Sequence, residues 1–181
     1  NAVLAIGASP IMADDIDEVE AITAMSSALV LNIGTLNRRT VDSMLAAGKT
    51  ANAHNIPVVL DPVGAGASDL RNRTTERLLQ DVKLSILRGN MSEIRFVAGL
   101  AASTKGVDAS EADLEGGLQA GVGIARSVAK KLGCVTAITG ATDIMSDGDR
   151  TVTIRNGSVL LSRVTGTGCM CTSLVGAFAG A

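Results

Sequence analysis

The period of the apolar residues switches back and forth along this chain, and that alternation restricts the fold more than any other feature. Residues 28–33 (Ala-Leu-Val-Leu-Asn-Ile), 58–60, 84–87 and 134–138 are short, nearly continuous apolar runs, each bounded by Gly or Pro. Strands buried on both faces read this way. Between them lie segments with helical spacing over residues 14–27, 37–55, 74–82 and 116–133, and a further helix opens at Asn90, with Glu93 at the third helical position. Strand alternating with helix predicts an α/β fold with a mostly parallel sheet and helices on both faces. The acids Asp14, Asp15, Asp17 and Glu18 are expected in the first turn of their helix, where they complement its dipole. After Gly140 the pattern changes to alternating runs over 143–147, 150–155 and 158–162. Asn156-Gly157 between the last two predicts a hairpin, so antiparallel strands should join the sheet edge. A last helix is expected from about Gly168, and residues 104–117 read as a polar loop.

The composition narrows the function. The length of 181 residues suits one domain. Sixteen Lys and Arg against 18 Asp and Glu leave a net charge of −2, too little cation to hold DNA. Phe96 and Phe178 are the only aromatics, so single-stranded nucleic acid finds no stacking platform. No apolar run reaches the roughly 20 residues of a membrane span, and the first residues carry no basic leader. Three cysteines, Cys134, Cys169 and Cys171, suggest reduced thiols and a cytoplasmic setting. His54 is the sole histidine. It is expected on a solvent-facing helix end, which removes histidine-rich metal sites.

Several glycine motifs fall short of a nucleotide fingerprint. Gly48-Lys49-Thr50 has Ser43 where a P-loop needs Gly, and it lies inside a helix. Gly121-Val-Gly123 reads as close helix packing, and Gly64-Ala-Gly66-Ala-Ser-Asp69 ends in the wrong residue. Val164-Thr-Gly-Thr-Gly-Cys169 is different, because it immediately precedes an apolar helix. Unpaired amides and the helix dipole favour an anion there, and glycine lets a phosphate approach the backbone. Cys169 falls in that first turn, where the same field favours an anionic sulfur. Asp61, Arg88 and Glu93 all fall near the carboxyl ends of predicted strands, the edge at which open α/β sheets bind ligands. Carboxylates at such an edge can hold Mg²⁺, although Asp61 also fits a turn before Pro62 and Glu93 fits a capping box.

These landmarks occur in a recognisable order: Gly7-Ala-Ser-Pro-Ile-Met12, Leu31-Asn-Ile-Gly-Thr35, Val59-Leu-Asp-Pro-Val-Gly64, Arg88-Gly-Asn-Met-Ser-Glu93, Ile138-Thr-Gly140 and Thr165-Gly-Thr-Gly-Cys169. With them the chain resembles the hydroxyethylthiazole kinase family of thiamine salvage, of the ribokinase-like fold. The resemblance implies a three-layer α-β-α domain over residues 1–181, shortened at both ends relative to the family. It implies ATP-dependent phosphorylation of a thiazole alcohol, Mg²⁺, and a homotrimer with the substrate site between subunits. By the same resemblance Met12 and Gly166 contact the thiazole, Arg88, Thr139 and Gly168 contact ATP, Asp61 and Glu93 serve the metal, and Cys169 stands where related kinases carry an Asp base. Two alternatives stay open: another small-alcohol kinase of this fold, acting on a hydroxymethylpyrimidine, and a truncated, silent protein that binds nucleotide or thiazole.

Overall fold

In a computed structural model, residues 1–99 and 111–181 are described, with side chains given for all of these except 111–115. Six strands form one sheet in the order of the chain: β1 (Leu29–Asn32), β2 (Val58–Asp61), β3 (Ile86–Asn90), β4 (Val135–Thr139), β5 (Asp143–Ser146) and β6 (Thr151–Ile154). The first four are parallel, and β5 and β6 add antiparallel to β4. The register places Asn32 beside Asp61 and Asn90 beside Thr139, so four strands end along one edge.

Helices α1 (Ala2–Ala5) and α2 (Val19–Ala24) precede the first crossover. The crossovers are α3 (Arg38–Ala53), α4 (Asp69–Asp81), and then α5 (Met91–Val97) with α6 (Glu111–Leu132). Right-handed crossovers all running in one direction put their helices on one face. Accordingly Val41, Leu45, Leu78, Ile94, Ala125 and Val128 of α3 to α6 share one buried cluster with Leu31, Leu60, Leu87, Ile138 and Ile144 of the strands. Neighbouring strand residues point to opposite faces. Leu31 joins that cluster, whereas Val30 faces the last helix, α7 (Thr167–Ala179), which packs across β1 and β2. A Cβ at Gly176 would lie 2.4 Å from Val30 Cγ2, so glycine is what lets α7 approach the sheet. The second helical layer is thus α7, with α1 against it. No helix among the described residues is long and apolar enough to cross a membrane.

Helix ends follow local chemistry. Asn37 and Thr40 form a reciprocal capping box at α3, and Ser68 caps α4, which therefore begins five residues before the predicted 74. His54 caps the end of α3, is exposed, and keeps Nδ1 2.9 Å from the Thr50 carbonyl. Gly48 sits in mid-helix, where a Cβ would lie 2.5 Å from Val82, and Gly121 similarly meets Ile144 and Met91. Both are packing glycines.

Four expectations are corrected. Residues 14–18 are not helical: the Asp15 carbonyl accepts from the amides of Glu18 and Val19 in a turn, and Asp14 and Asp15 pair with Arg39 instead. Of the loop read over 104–117, residues up to 110 lie outside those described, and 111–117 belong to α6. The third apolar run starts its strand two residues late, at Ile86, and carries it through Arg88-Gly89-Asn90. The hairpin turns at Asp147–Arg150, not at Asn156-Gly157. The Asp147 carboxylate accepts from the amides of Arg150 and Asp149 and from the Arg150 side chain, and these bonds hold its pKa down to about 2. Residues 158–162 are consequently no strand. Ser158 caps a 3-10 helix over Val159–Arg163.

Candidate active site

The carboxyl edge gathers a buried polar network on the α7 side of the sheet. Asp61, the last residue of β2, is 1% exposed. Its Oδ2 accepts from Asn32 Nδ2 at 3.0 Å and from Thr172 Oγ1 at 2.7 Å, and Arg88 Nη1 lies 3.6 Å away. Arg88 also donates from Nη2 to Thr139 Oγ1 at 2.6 Å and from Nη1 to Thr172 Oγ1 at 3.5 Å. Four elements thus meet at one carboxylate: β1, β2, β3 and α7. Burial pushes the Asp61 carboxyl above its ordinary value; the Thr172 hydroxyl and the Arg88 charge oppose the shift, and Glu93 adds to it. Asp61 Oδ1 is buried with no partner among the described residues, and so is Arg88 Nε. An orphaned oxygen beside a cation costs on the order of 1–3 kcal/mol, which suits a site that a ligand completes.

Glu93 stands behind this network. It is 7% exposed, and each oxygen takes one backbone N–H: Oε1 from Gly64 at 2.8 Å and Oε2 from Asn90 at 2.7 Å. With Asn90 Oδ1 accepting from Glu93 N, this is the capping box read in the sequence, extended to the loop after β2. Arg71 of α4 ties that loop to the one after β1, donating from Nη2 to Gly34 O at 2.9 Å and from Nη1 to the carbonyls of Ile33 and Val63. Its side chain also packs on Gly64, whose φ of +73° excludes most other residues.

The Gly-Thr-Gly-Cys segment opens α7 as expected. Gly166, at φ +87°, is the N-cap, and no side chain caps the helix among the described residues, so its first amides face outward. Gly168 lies against Arg88: a Cβ there would be 3.0 Å from Nη1. Cys169 is exposed in the first turn. Met12 lies apart from the network, on the surface between α1 and α2, and is 94% exposed.

The structure therefore joins Asp61, Arg88, Thr139 and Gly168 directly, sets Glu93 behind them, and leaves Gly166, Cys169 and Met12 facing outward. The sequence assigns no role to Asn32, Arg71 or Thr172, although Asn32 falls within the Leu31-Asn-Ile-Gly-Thr35 landmark; Arg71 and Thr172 lie outside every motif. Asn32 interrupts an apolar run one residue before its end, and Thr172 follows Gly168 by one turn in a mostly apolar helix; a polar residue on such a buried stripe was the available clue.

A parallel sheet continued by an antiparallel hairpin, with a cation–carboxylate network at its carboxyl edge under a glycine-opened helix, defines an α/β protein of ribokinase-like fold. The fold recurs in the ADP complex of Bacillus subtilis pyridoxal kinase, which superposes with a TM-score of 0.64 at 23% identity, over 94% of this chain and 64% of that one. Within the fold, the chain belongs to the hydroxyethylthiazole kinase family, which it matches over residues 1–181. It is 66% identical to hydroxyethylthiazole kinase of Clostridium beijerinckii over 181 residues, all of this chain and 66% of that protein. The solved structure of hydroxyethylthiazole kinase from Pyrococcus horikoshii superposes with a TM-score of 0.87 at 40% identity, over 99% of this chain and 65% of that one. The chain thus spans just under two thirds of the length of these relatives.

Proposed function

We propose that the protein transfers the γ-phosphoryl group of ATP to the hydroxyl of 4-methyl-5-(2-hydroxyethyl)thiazole, giving the thiazole phosphate and ADP for thiamine biosynthesis. The observation that carries this reading is the family match over the whole chain. In the mechanism we infer, Arg88, oriented by Thr139, meets the ATP phosphates, and Gly168 leaves room for it. The outward amides at Gly166 to Gly168 stabilise charge on the transferring group. Cys169, as thiolate, takes the hydroxyl proton while the new O–P bond forms and the bond to the ADP oxygen breaks.

Mg²⁺ bound with ATP would neutralise phosphate charge. Among the described residues no cluster of three or more His, Cys, Asp or Glu side chains could cage a metal. Magnesium ordinarily keeps water and phosphate ligands and needs only one or two carboxylates. The partnerless Oδ1 of Asp61 fits that role, through a water. Glu93, with both oxygens on amides, fits a brace for the surrounding loops better than a direct ligand.

Met12 and Gly166 would contact the thiazole from an exposed surface, so we infer that a second subunit closes the pocket, in a homotrimer. The exposure of Met12, and of Val159 (86%), Leu160, Leu161 and Val164 in the segment leading to Gly166, supports a partner covering apolar surface. The free cysteines suit a cytoplasmic setting. An ADP-release assay across thiazole and pyrimidine alcohols tests the reading. Preference for the thiazole is expected, preference for hydroxymethylpyrimidine would overturn it, and binding without turnover would indicate a silent protein. Cys169→Ala should lower kcat by about 10²–10⁴-fold, and an unchanged kcat would refute the base.

A further inference from the structure

We propose that Thr172 is a positioning residue of this site: its hydroxyl fastens α7, and with it the Gly-Thr-Gly-Cys loop, to the Arg88–Asp61 pair. Thr172 is 0% exposed, so it touches no substrate. Its Oγ1 is nonetheless the point where the cation, the carboxylate and the helix meet. It accepts from Arg88 Nη1 at 3.5 Å and can donate to Asp61 Oδ2 at 2.7 Å or to the Gly168 carbonyl at 3.2 Å. A hydroxyl has one proton, so these two acceptors compete, and the shorter contact favours Asp61.

Two consequences follow from that geometry. With Thr172 and Asn32 both on Oδ2, the Asp61 carboxylate is fixed in rotation and Oδ1 is left as its one free face. On its other side, Thr172 holds Nη1 of Arg88 while Thr139 holds Nη2, which fixes the plane of the guanidinium against Gly168. Without the hydroxyl, Arg88 has one anchor fewer, and Asp61 relies on Asn32 and the charge of Arg88 alone. Phosphoryl transfer depends mainly on positioning, so loosening both groups should appear in the rate.

The kinetic half of this inference rests on the kinase reading; the geometric half does not. The test is the pair Thr172→Val and Thr172→Ser in the full chain, with crystal structures of both and steady-state kinetics with ATP and the thiazole alcohol. If Thr172→Val does not fold, Thr172→Ala against Thr172→Ser makes the same comparison, because those two differ only by the hydroxyl. Variants lacking the hydroxyl should show the Arg88 guanidinium displaced from its 3.6 Å approach to Asp61. They should lose at least tenfold in kcat with KM for the thiazole alcohol within threefold, and Thr172→Ser should recover both kcat and geometry. Arg88 and Asp61 unmoved without the hydroxyl, kcat unchanged, or a serine variant as impaired as the valine variant would each overturn the proposal. A wild-type protein inactive on the thiazole alcohol would sink the kinase reading, while the variant structures would still decide the positioning role.

Discussion

Glu93→Ala separates a brace from a metal ligand. The wild-type carboxylate accepts two charge-assisted hydrogen bonds, at 2.8 and 2.7 Å, from the backbone amides of Gly64, in the loop after β2, and Asn90, at the end of β3, at a depth where little water can replace it. Each such bond contributes about 1.5–3 kcal/mol. The Asn90 half of the capping box survives the substitution, because it uses the backbone N–H of residue 93. The expected loss is therefore roughly 3–5 kcal/mol, near the sum of two bonds with some relaxation of the loop at Gly64. For a domain of this size about 2–4 °C accompanies each kcal/mol, so the melting midpoint should fall by roughly 6–20 °C. Glu93→Gln keeps one acceptor and turns an NH₂ toward the other amide, so it should lose about half as much. Urea titration of all three proteins, with the slope compared to establish that the same surface unfolds, gives the numbers. A loss below about 1 kcal/mol for Glu93→Ala, with turnover abolished, would refute the brace and return Glu93 to the metal.

Asp61→Asn should abolish turnover while leaving the unfolding midpoint at pH 7 equal to or above that of the wild type. The wild-type carboxyl, raised chiefly by burial, holds its proton where the unfolded chain has released it. Its contribution to stability therefore falls as pH climbs from 3.8 through the raised folded value, and the variant should lack that decline; a variant clearly less stable at pH 7 would contradict this. Gly176→Ala places a Cβ 2.4 Å from Val30 Cγ2 and should cost about 1–3 kcal/mol by urea unfolding, relieved by adding Val30→Ala. Gly168→Ala pushes on Arg88 Nη1 from 3.0 Å; kcat/KM for ATP should fall about tenfold with little change in melting, and unaltered kinetics would mean that Arg88 yields freely.

The sequence by itself determined the alternation of strand and helix, the edge at which the polar network gathers, and the order of the motifs. Those depend on local periodicity and on short-range chemistry such as the Asn90–Glu93 box, which a reader of one segment can see. The hairpin shows where that vision ends. Asn156-Gly157 is a good turn signal, but the carboxylate of Asp147 captured the chain first, and the amides that it binds sit only two and three residues away. Which face each helix covers, and how closely α7 approaches Val30, were decided by packing, because they depend on contacts nearly 150 residues apart. The Asp61–Thr172 bond, 111 residues apart in sequence, is of the same kind. No periodicity marks Thr172 as more than a polar residue in an apolar helix; only when β2, β3 and α7 are brought together does one hydroxyl become the joint between a carboxylate and a cation.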